Sequence, residues 1–361
     1  MEKAIGNKWV LTTDLGLEKW IEKEWTYLGF PKGAHFTPTP YNMRGNVILE
    51  MAGEAGEVEE LIRGLRTIHR FYRLRHIITF DEVPQKPNLR AVFTQLDIPE
   101  LKTSQGFRVS TIRDGNHSFD TFDILREAGA AFRELYDTKV DLHTYDTNIM
   151  VKWLEKAIWI GIERTPQSLV KRWERPFAHR APIKANVAAL LLYMVGLRPE
   201  ASGKILDPFT GSGTILMEAS ALSSNLDIHG LEIIKKVYEG AKDNLRENEL
   251  DERIIFKQGD ARLLEREYPD DEFDYIVSNP PFGIKVGKRM NLFWLYQNFL
   301  VAASKVTHLN SRMALLLYRR QIFEDAVANE GNWEILSSDR LIMGKLHLHL
   351  TSLKRKNQDT I

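Results

Sequence analysis

Apolar and polar positions change rhythm about halfway along the chain. In the second half, short apolar runs alternate with longer stretches of helical period. The pattern predicts strands at Lys204–Asp207, Asp227–Glu232, Ile254–Lys257, Phe273–Ser278, Met313–Tyr318, Trp333–Ser337 and Ile342–Leu350. Helices are predicted at Asn186–Val195, Gly213–Ser223, Lys235–Asn248 and Leu292–Lys305. Strands alternating with helices imply a mostly parallel sheet covered on both faces. The last two strands have no helix-length gap between them, so the last is expected to run antiparallel.

The first half is less regular. Residues 1–55 read as β-α-β: a strand at Lys8–Thr13, a helix over Leu15–Leu28 capped by Asp14 and stopped at Gly29, and a strand at Asn46–Met51. A helical stretch is predicted over Ala55–Leu74, and loop or short strand pieces over Thr79–Phe93. Phe107–Ile112 alternates as a strand, Asp114-Gly115-Asn116 is turn chemistry, and Asp120 or Asp123 caps a helix that ends at Tyr136. Asn148–Leu154 and Ala157–Ile162 read as a hairpin, and Thr165–Ala181 as an interdomain linker.

Composition removes several classes of chemistry. Hydrophobic residues make up 43% and charged residues 27%, the balance of a folded globular chain. Cysteine is absent, which excludes disulfides, thiolate metal sites and every cysteine-nucleophile mechanism. Lys+Arg and Asp+Glu are 49 each, so no general polybasic coat is present. Basic residues do cluster at Arg63–Arg75 and Arg164–Lys184; these read either as solvated faces or as phosphate contacts. The longest apolar run, Val187–Val195, is nine residues, whereas a bilayer span needs about 20. A cytoplasmic chain is expected.

Four strand ends carry candidate chemistry. Ile205-Leu206-Asp207-Pro208-Phe209-Thr210-Gly211-Ser212-Gly213-Thr214 is a buried strand, a Gly-rich turn and a helix start. It lacks the Gly-Lys-Ser/Thr ending of a P-loop and the GxGxxG spacing of a dinucleotide site. Asp207 suits a ligand ammonium group. Glu218, one turn into the helix, is either a second polar contact or surface. Gly230-Leu231-Glu232 ends the next strand with a carboxylate able to accept from two ribose hydroxyls. Gly259-Asp260-Ala261 follows the third, where Asp260 can accept from an adenine amino group. Ser278-Asn279-Pro280-Pro281-Phe282-Gly283 follows the fourth. An amide carbonyl there can hold a poorly nucleophilic exocyclic amine toward an electrophile, and Phe282 offers a face to an extruded base. His347 and His349 have no nearby carboxylate, so no metal site is expected.

This arrangement resembles the Rossmann-like S-adenosylmethionine methyltransferases, and Asn279-Pro280-Pro281-Phe282 resembles the amino-methyltransferase signature. The resemblance implies that Asp207, Thr210, Gly211, Ser212, Gly213, Thr214, Glu232, Ile233, Asp260, Ala261 and Asn279 line the cofactor site. It implies catalytic roles for Asn279, Pro280 and Phe282.

Upstream, Phe107–Phe119, Arg126–Ala130 and Lys139–Leu142 are similar to the THUMP RNA-binding domain. Together the parts resemble THUMP-domain tRNA (guanine-N2)-methyltransferases over almost the whole chain. The implied layout is a ferredoxin-like segment (1–55), THUMP (56–164), linker (165–185) and a seven-stranded Rossmann-like domain (186–361).

In that family THUMP takes the tRNA 3′ CCA end, so the enzyme measures from that end to its target. Arg113, Asn116, His117, Arg126 and Arg175 become candidates for RNA binding, as do Lys285, Lys288 and Arg289 after the catalytic turn. The guanine-10 branch usually begins its last motif with Asp. Asn279 therefore points to the branch acting on guanine 6 of the acceptor stem. A monomer is implied, and a chain lacking residues 1–165 is expected to keep cofactor binding. The competing readings are a tRNA guanine-10 N2-methyltransferase, an adenine-N6 DNA methyltransferase or protein glutamine methyltransferase, and a non-catalytic RNA-binding subunit.

Overall fold

The computed structural model describes residues 7–84, 87–178, 182–283 and 291–356. The first part of the chain runs β1 (Lys8–Thr12), α1 (Glu18–Tyr27), β2 (His35–Pro38), β3 (Asn46–Glu50), α2 (Ala55–Arg63), β4 (Arg70–Thr79), α3 (Leu89–Phe93), β5 (Phe107–Arg113), α4 (Thr121–Tyr136), β6 (Thr147–Trp153) and β7 (Ala157–Glu163). The second runs α5 (Ala185–Met194), β8 (Gly203–Asp207), α6 (Thr214–Leu222), β9 (Leu226–Glu232), α7 (Lys235–Glu247), β10 (Ile254–Gln258), α8 (Leu264–Glu267), β11 (Phe273–Ser278), α9 (Leu292–Lys305), β12 (Thr307–Leu317), α10 (Arg320–Glu330), β13 (Trp333–Met343) and β14 (Leu346–Arg355). Among the described residues no helix is long and apolar enough to cross a membrane.

The chain folds as two units, and the division is not a single cut. The first comprises residues 1–13, 31–64 and 68–169; the second comprises 14–30, 65–67 and 170–361.

In the first unit seven strands form one sheet, ordered β2-β3-β1-β4-β7-β6-β5. Its pairings are antiparallel except β5 with β6. Phe107, Val109, Ile149, Val151 and Trp153 alternate onto the face covered by Ile124, Ala128, Ala131 and Phe132 of α4. Asp120 caps α4 in a reciprocal capping box with Asp123, as its spacing predicts. The helix predicted over Ala55–Leu74 stops at Gly64. Beyond it, Arg70, Arg73 and Arg75 belong to β4, among the buried Phe71, Tyr72 and Leu74, while Arg66 lies in the segment before that strand. Strand β2 and helices α3, α8 and α10 have no counterpart in the predicted elements, and the strand predicted over Ile342–Leu350 is divided between the end of β13 and the start of β14.

In the second unit seven strands are ordered β10-β9-β8-β11-β12-β14-β13. Strands β8 to β12 are parallel where they pair, and β14 is antiparallel to both neighbours. Period-2 alternation splits each buried strand between two cores. Ile205 and Val277 face the cluster built with α5, α6 and Leu245 of α7; Leu206 and Ile276 face the cluster built with α8, α9 and α10.

Helix α1 groups with this second unit, although the expected layout put it in a leading segment over residues 1–55. Leu17 and Trp20 are buried with Val187, Leu191 and Leu341. Trp20 Nε1 and Lys19 Nζ both donate to Asp339, at 3.2 and 2.6 Å. Asp14 does not cap α1. It accepts from Lys184 Nζ at 2.6 Å and Asn186 Nδ2 at 2.9 Å.

Candidate active site

The site is assembled at the carboxyl ends of β8, β9, β10 and β11, where open α/β sheets bind ligands. Strand β8 runs into a turn in which Gly211 and Gly213 have φ of 56° and 85°. These are left-handed conformations that an L side chain adopts only at a cost. Thr210 pins the turn: its N–H donates to Leu231 O, its hydroxyl donates to Asp207 O, and the hydroxyl oxygen accepts from Leu231 N–H. Ser212 and Thr214 are buried, and Ser212 O accepts from Asn244 Nδ2 at 3.0 Å. Asn244, fully buried on α7, also binds both backbone polar groups of Phe177. Nothing in the amphipathic pattern of that helix distinguishes it.

Asp207 is 1% exposed. Its Oδ1 accepts from Ser278 Oγ at 2.5 Å and Phe209 N at 3.2 Å, while Oδ2 has no partner among the described residues. Burial pushes its carboxyl up to about 7, and the Glu232 charge adds to the rise against the two hydrogen bonds. A buried carboxylate oxygen without a donor fits a ligand ammonium group.

Glu232 Oε2 accepts from Gly211 N at 3.0 Å and Oε1 from Ile234 N at 2.9 Å. Each carboxylate oxygen keeps a second acceptor direction for a hydroxyl. Ile233 beside it is 53% exposed, an apolar side chain open to a ligand.

Asp260 is engaged differently from its predicted role. It caps the short turn at Ala261–Leu263 and pairs with Arg262 at 2.6 Å. Any adenine contact there must share the carboxylate with that guanidinium. Ala261 is buried.

The turn after β11 carries the other orphan. Asn279 Oδ1 is buried and has no donor among the described residues. Pro280 is buried, and Phe282 is half-buried with its ring 6.2 Å from that of Tyr318. The turn thus holds one unsatisfied amide acceptor beside an aromatic face.

The basic clusters are largely paired. Arg66 and Arg172 both bind Glu218, at 2.6 and 2.8 Å, and Trp173 Nε1 donates to it at 2.5 Å. Glu218 is fully buried with both oxygens taken by these three side chains, so it is not surface and offers no free oxygen to a ligand. Burial alone would raise its carboxyl, but the two arginines outweigh that and hold it below the usual range. Arg70 pairs with Glu163, Arg75 with Glu100 and Arg164 with Glu59. These arginines are not standing free for phosphates.

Arg175 is half-buried, and desolvation lowers its guanidinium despite the Glu218 charge. In the first unit Arg113 donates to Gly115 O at 3.2 Å, and His117 Nε2 lies 2.9 Å from Asp114 O. Asn116 is exposed on the same turn, and Arg126 is exposed but paired with Asp123 and Glu127. Lys285, Lys288 and Arg289 lie outside the described residues.

A parallel sheet with an antiparallel last strand and acids at successive strand ends defines a Rossmann-like methyltransferase domain. Comparison with known proteins agrees. Residues 87–163 match the THUMP domain and residues 172–349 an RMKL-like methyltransferase domain. A Thermus thermophilus protein named tRNA (guanine(6)-N2)-methyltransferase is 30% identical over 88% of this chain and 90% of its own. A Pyrococcus abyssi protein named tRNA (guanine(10)-N2)-dimethyltransferase is 32% identical over 49% of this chain and 52% of its own. The crystal structure of TrmN from Thermus thermophilus superposes with a TM-score of 0.80 at 28% identity, covering 96% of this chain and 99% of that one. The chain belongs to the THUMP-domain tRNA (guanine-N2)-methyltransferases, enzymes that use S-adenosylmethionine.

Proposed function

We propose that this chain methylates the exocyclic N2 of guanine 6 in the tRNA acceptor stem. The observation that carries the position is extent of likeness: the relative named for guanine 6 matches along nearly the whole chain, the relative named for guanine 10 along about half. Asn279 in place of the Asp usual in the guanine-10 branch favours the same reading.

When bound, S-adenosylmethionine supplies a sulfonium methyl that needs no further activation. Asp207 Oδ2 takes the ligand's ammonium group, and Glu232 its ribose hydroxyls. Ile233, Asp260 and Ala261 border its base. The turn Thr210–Thr214 gives backbone room beside the ligand. Asn279 Oδ1 accepts one N–H of the target amine and so orients the nitrogen, which is otherwise a weak nucleophile. Pro280 and Pro281 bring no N–H to compete for that oxygen and stiffen the turn. Phe282 takes the extruded guanine on its face.

In this reading the first unit holds the 3′ CCA end, with Arg113, Asn116, His117 and Arg126 at its contact, and the enzyme works in the cytoplasm as a monomer. Arg175, Lys285, Lys288 and Arg289 are assigned to phosphates near the target.

The test uses unmodified tRNA transcripts with guanine only at position 6, only at position 10, or at both. Mass spectrometry of nucleosides and mapped fragments is expected to find N2-methylguanosine at position 6. Methylation at position 10, or of adenine, overturns the assignment. In the same assay Asn279→Ala is expected to cut turnover about 10²–10³-fold, comparable to losing one preorganised polar contact, with cofactor affinity held within a few fold. Parent-like turnover removes Asn279 from the mechanism.

A further inference from the structure

Next to the Asn279–Phe282 turn lies a cavity of about 370 Å³. It is lined by Gly283 from the turn, Asn291, Leu292 and Phe293 from the start of α9, and Arg319, Ile322 and Asp325 from the start of α10. Its size is at the low end for small-molecule pockets, room for one nucleotide rather than a duplex. None of these residues belongs to the cofactor set at the ends of β8, β9, β10 and β11, although Gly283 continues the turn that carries Asn279.

Three features give the cavity a chemical character. Arg319 is exposed, and no carboxylate partner is found for it among the described residues. This sets it apart from Arg66, Arg70, Arg75, Arg164 and Arg172, which are all paired. Trp294 is 58% exposed, next in sequence to the lining residue Phe293, with the two ring centroids 5.9 Å apart. An exposed Trp on a folded surface leaves a large apolar face uncovered. The carboxylate in the lining, Asp325, already accepts from Gln321 at 3.0 Å; it can take a hydroxyl or amine and opposes a second phosphate. One guanidinium in the lining without a carboxylate partner among the described residues, and one open indole packed on the lining residue Phe293, near a turn read above as the target-base site, are the elements of a single-strand nucleic-acid site.

We infer that this pocket holds the nucleotide adjoining the methylated guanine, its phosphate on Arg319 and its base against Trp294. The inference rests on the reading of the turn as the target-base site. Extruding a base from a stem leaves its neighbours without a stacking partner on one side, and the Trp294 face replaces that lost stack. Arg319 fixes the backbone on the side toward which the base has swung. The two residues therefore position the substrate and do not take part in methyl transfer.

The experiment measures binding of an unmodified tRNA transcript to the full chain and to Trp294→Ala, Trp294→Phe, Arg319→Ala and Arg319→Lys, across salt concentrations, with S-adenosylmethionine affinity measured in parallel. Trp294→Ala is expected to weaken tRNA binding about ten-fold, in the range for one lost base stack. Trp294→Phe should recover most of it. Arg319→Ala is expected to weaken binding similarly and to flatten the slope of log affinity against log salt by about one, the mark of one lost phosphate contact. Arg319→Lys should restore the slope. Cofactor affinity should stay at the parent value, which a merely destabilising change would not guarantee. Parent-like tRNA affinity and salt slope in both alanine variants overturns the inference, including the case where this surface serves a protein partner. Should the parent methylate a nucleotide other than guanine 6, the position assigned above falls, while the binding comparison still decides the pocket.

Discussion

At the scale of single residues, the site is organised around two acceptors that the fold leaves unfilled. Asp207 Oδ2 and Asn279 Oδ1 are both buried and both without a donor among the described residues. Leaving such an atom unmade costs about 1–3 kcal/mol each, so a ligand that fills both regains that much. Asp207 also titrates in a useful range. Its carboxyl stands at about 7 rather than the ordinary 3.8, mainly through burial. The folded chain therefore holds this proton more tightly than the unfolded chain does. The stability it contributes is present at low pH and is lost as pH rises from about 4 to about 7, by a few kcal/mol at most. A cationic ammonium group favours the ionised carboxylate, so cofactor affinity should move the opposite way, rising with pH and levelling above 7. Calorimetric titration of S-adenosylmethionine at pH 6 and pH 8 is expected to show tighter binding at pH 8. Asp207→Asn should bind weakly at both and, ligand-free, should lose less melting temperature between them. An affinity flat across that interval in the parent would remove Asp207 from the ammonium contact.

At the scale of elements, the second unit was legible because each of its signals is local. Strand β8, the left-handed turn at Gly211 and Gly213, and the acids at the ends of β9 and β10 are consecutive in sequence and fell where periodicity predicts. The first unit resisted for physical reasons. In β4, arginines alternate with Phe71, Tyr72 and Leu74, and the same residues satisfy a helical spacing when read with α2. Residues 64–69, opening with Gly64 where α2 ends, separate the two. The basic clusters misled because a carboxylate partner far along the chain cannot be read from the cluster. Glu218 lies 46 positions from Arg172 and 152 from Arg66. That ion-paired carboxylate fastens α6, the helix that follows the Gly211–Gly213 turn, to the segments carrying Arg66 and Arg172. Removing it would strand two partly buried guanidinium groups, which is why a glutamate that looks like surface decoration is held so firmly.

At the scale of the whole molecule, the second unit is woven from three separated stretches of chain, and this changes what a truncation does. The plain boundary near residue 165 suggests that everything upstream can be removed while cofactor binding survives. The structure argues otherwise. Leu17 is 0% and Trp20 6% exposed in the core shared with α5 and β13. Glu24 is fully buried, accepting from the backbone of Arg66 and Thr67, the Thr67 hydroxyl and Tyr193 Oη. Its carboxyl is raised by burial against those four donors, so Tyr193 would lose its partner if α1 were absent. Deleting residues 1–165 thus removes a helix, an apolar plug and one of the two arginines on Glu218. Loss of a buried Trp alone costs about 3–5 kcal/mol, a large part of a domain's net stability. Fragment 166–361 is expected to lack a cooperative thermal transition and to bind no S-adenosylmethionine. A fragment that melts cooperatively and binds the cofactor with parental affinity would show that α1 only decorates this unit. Full-length Trp20→Ala separates the outcomes further. It should lower the melting temperature by several degrees while keeping cofactor affinity once folded, because Trp20 touches the core and none of the four strand ends that form the site.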